Sequence, residues 1–142
     1  MAKFYFKKIL FQEGWKKDVN ISINEQGEIT EIIENYKGKD FQMEIQLAIP
    51  GIPNAHSHAF QYAMAGLTEN HSESRSSNFW KWRNEMYNLA LNIDPDSLQV
   101  IATMLYSEML KNGYTSVAEF HYLHHDKNGN KYSNVCELGE RL

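Results

Sequence analysis

The segment from Pro50 to His58 constrains the fold of this chain most, because it has the pattern of a strand that ends in two histidines. Apolar residues precede it, and Pro50 and Pro53 favour extended backbone on either side of Gly51. The histidines follow at the point where such a strand would end. We therefore expect a buried strand whose last residues reach the carboxyl edge of a sheet, where barrel enzymes place their ligands.

His56 and His58 are two residues apart, so on a strand both side chains point to the same face while Ser57 points away. Neutral imidazole is a good ligand for zinc, iron, copper and nickel, and a catalytic zinc usually takes about three protein ligands. The spacing therefore predicts part of a metal site. Two structural histidines bonded to nearby backbone are the alternative interpretation.

Composition excludes several classes of protein. The chain has 142 residues, a hydrophobic content of 42% and a net charge of -4, which gives no basic surface for nucleic acid. Its single cysteine, Cys136, allows no disulfide framework and is typical of a reducing compartment. The N-terminus lacks the features of a signal peptide, and no segment approaches the run of about 20 apolar residues that a membrane span requires. We expect a cytoplasmic protein without nucleic-acid or membrane partners.

The first part of the chain, residues 1–48, has the pattern of a β module. Val19, Ile21 and Ile23 alternate with polar residues, and a turn at residues 24–27 precedes a second strand over residues 29–33. The polar residues 38–44 are predicted to connect this module to the strand that carries the histidines. The remaining residues, 49–142, form the second predicted domain.

The order of elements after residue 45 is strand, loop, helix, helix, strand, which favours a parallel α/β arrangement. The polar stretch 68–77 is predicted to be a mobile loop that covers a site. One helix is expected from Ser77 or Asn78 to about Asn92. The next has its cap at Asp94 and ends at Asn112 and Gly113, where a short buried strand over residues 114–120 begins. Parallel strands would bring His56, His58 and Tyr122 to one edge.

Arg83 lies on the apolar side of the first predicted helix. At about 100° per residue it is about 200° from Lys81, and it shares its side with Phe79, Met86 and Ala90. A buried guanidinium needs a partner, either a structural acid or the carboxylate of a ligand. Alternatively, the side chain extends to solvent at the edge of the helix, and the pattern leaves these interpretations open. The aromatic residues of this helix are predicted to belong to the core: Trp80, Trp82 and Tyr87.

Three segments carry a resemblance to a known family: PGIPNAHSHAFQYAMAGLTE, FWKWRNEMYNLA and EMLKNGYTSVAEFHYLHHD. The first resembles the first barrel strand of the amidohydrolase superfamily. All three, in this order, resemble the formimidoylglutamate deiminases within it. The resemblance implies an α/β chain that forms the N-terminal part of a (β/α)8 barrel, preceded by part of a small β-sandwich domain.

The resemblance also implies functions for particular residues. His56 and His58 would be metal ligands for one Zn2+, and Gln61, Arg83 and Tyr122 would bind the substrate. The family hydrolyses N-formimidoyl-L-glutamate to N-formyl-L-glutamate and ammonia in histidine degradation. Its remaining ligands and its catalytic acid and base would lie outside these 142 residues, so the chain alone is expected to bind zinc weakly and to be inactive.

Other interpretations stay open at this point. A deaminase of the same superfamily that acts on guanine, adenosine or triazine rings would share the histidine pair but would have less use for Arg83. A truncated, non-catalytic remnant or an interaction module would need neither. A homodimer and the identity of the metal are left undecided by the sequence.

Overall fold

The structure, a computed structural model, describes residues 1–67 and 75–142, and for residues 75–78 it describes the backbone alone. Contacts between residues divide the chain into two compact units, Met1–Pro50 and Gly51–Leu142. The predicted domains are residues 1–48 and 49–142. Each unit has its own buried apolar cluster, so each is described separately.

The first unit is a four-stranded sheet. Its strands are β1 (Ala2–Phe11), β2 (Gly14–Ile23), β3 (Ile29–Ile33) and β4 (Met43–Ile45), in the order β3-β2-β1-β4. β1 pairs with β2 and β2 with β3 in antiparallel fashion, whereas β4 runs parallel to β1. Ile9, Val19 and Ile21 form the buried cluster of this unit.

The hairpin predicted from the alternation of Val19, Ile21 and Ile23 is confirmed. Asn24 closes the turn, since its side-chain oxygen accepts hydrogen bonds from the backbone amides of Gln26 and Glu28. Gly27 has a positive φ of 83°, a conformation that favours glycine. Residues 38–44 were predicted to be a connection without regular structure. This is wrong for the last two residues, because the short strand β4 begins at Met43 and pairs with β1.

The second unit contains two parallel strands and the helices between them. β5 (Ile52–Ser57) is followed by a short 3₁₀ helix, Ala59–Met64, then α1 (Arg75–Ala90), α2 (Pro95–Lys111) and β6 (Tyr114–Glu119). β5 and β6 are parallel, with Ile52 opposite Tyr114 and Ser57 opposite Glu119. The predicted parallel arrangement is confirmed, so both strands end at the same edge.

Gly51 lies where the chain enters β5, directly against Thr115 of β6. A Cβ atom at Gly51 would clash with the side chain of Thr115, so glycine is required for this close approach. The prediction that both strands are buried is wrong for the described residues. In that part of the chain β5 and β6 pair only with each other, and most of their side chains remain exposed.

The limits of α2 agree with the prediction. Asp94 is the N-cap: its side chain accepts a hydrogen bond from the Ser97 amide, and Pro95 occupies the first turn. The prediction for α1 is less accurate, because the helix begins at Arg75 rather than Ser77 and ends at Ala90. Most of the predicted covering loop, residues 68–74, lies outside the described residues.

The core of the second unit is a cluster of four buried side chains, Phe60, Ile93, Leu98 and Leu138. Phe60 belongs to the 3₁₀ helix that follows the histidines, so the apolar core anchors the segment immediately after them. Nowhere in residues 1–67 and 75–142 is there a helix with the length and apolar content needed to cross a membrane.

Candidate metal centre

The side chains of His56 and His58 converge at the carboxyl end of β5. Their Nε2 atoms are 2.9 Å apart, and the two rings meet edge to face. Ser57, between them, is buried on the opposite side. The alternation of a strand therefore produces the convergence that the spacing predicts.

The contact between His58 and the backbone of Phe120 indicates which ring nitrogen of His58 is the donor. Its Nδ1 lies 2.9 Å from the carbonyl oxygen of Phe120, just after the end of β6. A carbonyl oxygen only accepts hydrogen bonds, so Nδ1 carries the proton and the neutral ring has a lone pair at Nε2. Metal-bound histidines commonly donate their other N–H to a carbonyl in this way.

The backbone around His56 is also fixed. Its amide donates a hydrogen bond of 3.1 Å to the side-chain oxygen of Asn54, two residues earlier in β5. The amide group of Asn54 in turn lies 3.8 Å from the sulfur of Met109 on α2. The helix that packs beside the strand therefore helps to set the conformation of the segment that carries the histidines.

The histidine pair fits a divalent metal ion. A separation of 2.9 Å is smaller than twice the usual zinc–nitrogen distance of about 2.0–2.1 Å, so one ion can contact both nitrogens. Among residues 1–67 and 75–142, no group of three or more His, Cys, Asp or Glu side chains could hold a metal ion. The pair could therefore supply two of the ligands of such an ion.

Glu119 lies at the end of β6, beside the histidine segment. Its carboxylate accepts a hydrogen bond of 2.6 Å from the amide of Ala59 and one of 3.2 Å from the hydroxyl of Tyr106. Burial, and then the charge of Glu119, raises the pKa of Tyr106 to about 12. Tyr106 therefore remains a donor throughout the pH range in which most enzymes work.

Gln61 and Tyr122, two of the three predicted substrate-binding residues, contact each other. The side-chain amide of Gln61 donates to the hydroxyl of Tyr122 over 2.6 Å, and both groups lie 3.6 Å from the sulfur of Met86. The ring of Tyr122 meets the ring of His58 with centroids 5.3 Å apart. The structure thus places this polar pair next to the histidines.

Among the residues that the structure describes, Arg83 has neutral partners. Its guanidinium donates to the hydroxyl of Tyr87, with the Nη2 atom at 3.2 Å, and it lies over the rings of Trp80 and Tyr87. Met86, which contacts Gln61 and Tyr122, is one helical turn further along α1. Arg83 is therefore on the side of α1 that carries this contact, although no direct contact joins it to the pair.

The prediction that the aromatic residues of α1 belong to the core is wrong for two of them. Trp80 is 58% exposed and Tyr87 is 47% exposed. Both rings contact the Arg83 guanidinium, and a flat cation can stack on aromatic faces without burial. Phe79, also predicted to face inward, is exposed, whereas Met86 and Ala90 pack on the core as predicted.

Three contributors to the site were not assigned from sequence: the Phe120 carbonyl, the Glu119 carboxylate and the sulfur of Met86. A backbone carbonyl and a methionine give no sequence signal for such a role. For Glu119 the sequence does carry a signal, because it is an acidic residue at the end of an otherwise uncharged strand. Its partner Tyr106 lies on α2, and the buried residues Leu98 and Ala102 belong to earlier turns of the same helix.

Comparison with known proteins defines the class. Residues 47–137 match the model of the amidohydrolase family. The crystal structure of an amidohydrolase from Brucella melitensis superposes with a TM-score of 0.92 at 38% identity, over 99% of this chain and 31% of that one. The fold is the N-terminal part of an amidohydrolase (β/α)8 barrel, preceded in the chain by a four-stranded sheet. That this sheet is part of a small β-sandwich stays a prediction. The chain belongs to the amidohydrolase family.

Two further relatives are informative. A formimidoylglutamate deiminase from Pseudomonas aeruginosa is 42% identical over all 142 residues, which correspond to 31% of its length. A mutant atrazine chlorohydrolase from Arthrobacter aurescens, crystallised with zinc and atraton, has a TM-score of 0.67 at 20% identity, over 99% of this chain and 33% of that one. The chain thus spans about a third of the length of the relatives that it matches.

Proposed function

We propose that the protein is a metal-dependent deiminase that converts N-formimidoyl-L-glutamate and water to N-formyl-L-glutamate and ammonia. The observation that carries the metal-dependent part is the convergence of the His56 and His58 nitrogens at the end of a parallel strand. The substrate is proposed because the chain is 42% identical, over its whole length, to a formimidoylglutamate deiminase. We propose that the reaction belongs to histidine degradation.

His56 and His58 would hold the metal ion through their Nε2 atoms. Zinc is proposed because imidazole nitrogens are among its usual ligands, and two of them converge here. A bound zinc ion would supply a Lewis acid and would make water a stronger nucleophile near neutral pH. The Phe120 carbonyl contributes by keeping the His58 proton on Nδ1, so that Nε2 is the nitrogen that a metal ion would contact.

Gln61, Arg83 and Tyr122 would bind the glutamate part of the substrate. Gln61 and Tyr122 are already hydrogen-bonded to each other beside His58, and each has polar capacity left for a ligand. Arg83 is half-buried on α1 and donates to a neutral group, the hydroxyl of Tyr87. A planar guanidinium in that state is suited to a carboxylate of the substrate.

Deaminases of ring substrates receive no support from the atrazine chlorohydrolase, because 20% identity shows the fold alone. A cytoplasmic location stays a prediction based on the single cysteine, and a homodimer stays a prediction without a test. The function proposed here can be tested directly on the intact protein.

The test is ammonia release by the intact protein, with N-formimidoyl-L-glutamate and guanine as substrates. We expect turnover of the first substrate alone, its loss on removal of metal by a chelator, and recovery with zinc. The variant His56→Ala should be inactive, because it removes one of the two converging nitrogens. His125→Ala, in an exposed loop, is the matched control and should keep its activity. Full activity of His56→Ala, or turnover of guanine instead, would refute the proposal.

A further inference from the structure

Glu119 makes two hydrogen bonds that the proposed reaction does not explain. One carboxylate oxygen accepts from the amide of Ala59 over 2.6 Å, and the other accepts from the hydroxyl of Tyr106 over 3.2 Å. Ala59 is fully buried, so water cannot replace the first acceptor. A short bond from an amide to a carboxylate is stronger than one between neutral groups.

The position of Ala59 makes this bond relevant to the metal centre. Ala59 is the first residue of the 3₁₀ helix, and His58 is its N-cap. A cap residue normally accepts from the free amides of the first turn through its own side chain, but His58 makes no such bond. Its ring is directed to the Phe120 carbonyl and to His56 instead. Glu119 supplies the missing acceptor from the neighbouring strand.

Residues 119–120, at the end of β6, thus hydrogen-bond to residues 57–59 of the histidine segment. The amide of Phe120 donates to the carbonyl of Ser57 over 2.8 Å, the carbonyl of Phe120 accepts from the ring of His58, and Glu119 accepts from the amide of Ala59. The backbone of His58 is therefore fixed on both sides, and its ring is fixed as well. A shift of this backbone would move Nε2 away from the Nε2 of His56.

Tyr106 fixes the carboxylate in turn. It is on α2, the helix whose residues Leu98 and Ala102 are buried in the core, and its hydroxyl reaches the oxygen of Glu119 that Ala59 does not use. Both oxygens of Glu119 are therefore occupied by donors from different elements. This arrangement leaves Glu119 little freedom to rotate, and it directs no oxygen of Glu119 to the metal position.

We propose that Glu119, held between the Ala59 amide and the Tyr106 hydroxyl, is a positioning residue that keeps His58 in the orientation required of a metal ligand. The inference rests on the proposed metal-dependent function, because it concerns the geometry of that same pair. Glu119 acts here through Ala59 and does not contact the ion. The neutral oxygen of a glutamine at position 119 can accept from Ala59, whereas a leucine cannot.

The test uses Co2+ as the probe, in the metal-free intact protein. Visible absorption reports both the dissociation constant and, at saturation, the coordination geometry of cobalt. We expect Glu119→Leu to weaken binding at least tenfold and to change the spectrum at saturation. Glu119→Gln should stay within about threefold of the parent, with the parental spectrum. The matched control is Glu108→Leu, which removes an exposed carboxylate of α2 that pairs with Lys111.

A merely structural role would lower the folded fraction without changing the spectrum of the saturated protein. If Glu119→Leu does not fold, Tyr106→Phe provides the test. This variant removes only the hydrogen bond from Tyr106 to Glu119, and it should also change the spectrum of the cobalt-saturated protein. If Glu119→Leu binds cobalt with the parental affinity and spectrum, the inference is wrong but the proposed function is not affected. If Glu119→Leu does not fold, the same result in Tyr106→Phe leads to the same conclusion. Absence of cobalt binding by the parent would instead overturn the proposed function, and the inference with it.

Discussion

At the scale of single residues, Arg83 is the side chain whose surroundings differ most from expectation. The helical pattern placed it on the apolar side of α1, where a buried guanidinium would need a structural acid or a ligand carboxylate unless it extended to solvent. In the structure its partners are the hydroxyl of Tyr87 and two exposed aromatic rings. The guanidinium is therefore half-buried and oriented by neutral groups, and its planar set of donors suits the carboxylate of a ligand.

The first prediction concerns this charge. In the intact protein, Arg83→Met should raise KM for N-formimidoyl-L-glutamate by about tenfold or more, since a hydrogen bond to a charged group contributes about 1.5–3 kcal/mol. The value of kcat should change less, because the contact is made in both the ground state and the transition state. Steady-state kinetics provides both numbers.

Lys81→Met is the control for Arg83→Met. Lys81 is an exposed cation on the same helix, so its removal changes the net charge equally without touching the aromatic contacts. Both constants should remain at the parental value. If Arg83→Met also leaves KM unchanged, Arg83 is a structural side chain that packs on Trp80 and Tyr87, and the glutamate carboxylates must be bound elsewhere.

The residues of the candidate site differ in how far sequence predicted them. The convergence of His56 and His58 follows from the local period of a strand, so it was predictable. The contact between Gln61 and Tyr122 depends on how a 3₁₀ helix packs against the end of β6, which is a property of the tertiary structure. The carbonyl of Phe120 has no side-chain signature at all. The local spacing and the parallel strands therefore predicted which residues share the edge, whereas the hydrogen bonds between elements were not predicted.

At the scale of secondary structure, α2 was predicted accurately because its limits are set by neighbouring residues. Asp94 and Ser97 form a reciprocal capping pair, Pro95 occupies the first turn, and Asn112 with Gly113 ends the helix. α1 starts two residues before the earlier predicted cap. The strand β4 was missed because it pairs with β1, about 40 residues earlier in the chain, and three residues carry too little pattern to reveal that pairing.

The second prediction tests the cap of α2. The pKa of the Asp94 carboxyl is held well below its usual range, first by its hydrogen bond to Lys127 and then by the amide and hydroxyl of Ser97. A carboxyl with a lowered folded-state pKa stabilises the fold above its unfolded pKa of about 3.9, and this contribution is lost as the pH falls toward the folded value. Asp94→Ala should therefore lower the thermal midpoint by several degrees at pH 7.

Asp94→Asn separates the cap from the charge, since its amide oxygen can still accept from Ser97. Its midpoint should lie between those of the parent and Asp94→Ala at pH 7, and close to that of the parent at a pH low enough to protonate Asp94. Added salt should reduce the gap, because Lys127 and Asp94 are both partly exposed. Equal midpoints for all three proteins at pH 7 would show that the cap contributes nothing measurable.

At the scale of the whole molecule, the second unit presents a parallel sheet with unusual exposure. Parallel strands are normally covered on both faces, yet Ile52 is 42% exposed and Val117 is 37% exposed. This explains why burial was predicted wrongly for β5 and β6 although their direction was predicted correctly. The apolar composition of a strand indicates that it is suited to a buried position. Whether it is buried depends on the elements packed against it, and the described residues do not cover β5 and β6.

The same reasoning predicts the behaviour of the 142-residue polypeptide studied alone. Its described residues offer a pair of converging nitrogens and no cluster of three metal-binding side chains, whereas a catalytic zinc needs about three protein ligands. We therefore expect weak zinc binding that disappears in the double variant His56→Ala, His58→Ala, and no measurable ammonia release from N-formimidoyl-L-glutamate. Turnover at rates typical of enzymes, about 1 s⁻¹ or faster, would mean that two histidines and the residues around them suffice for the chemistry.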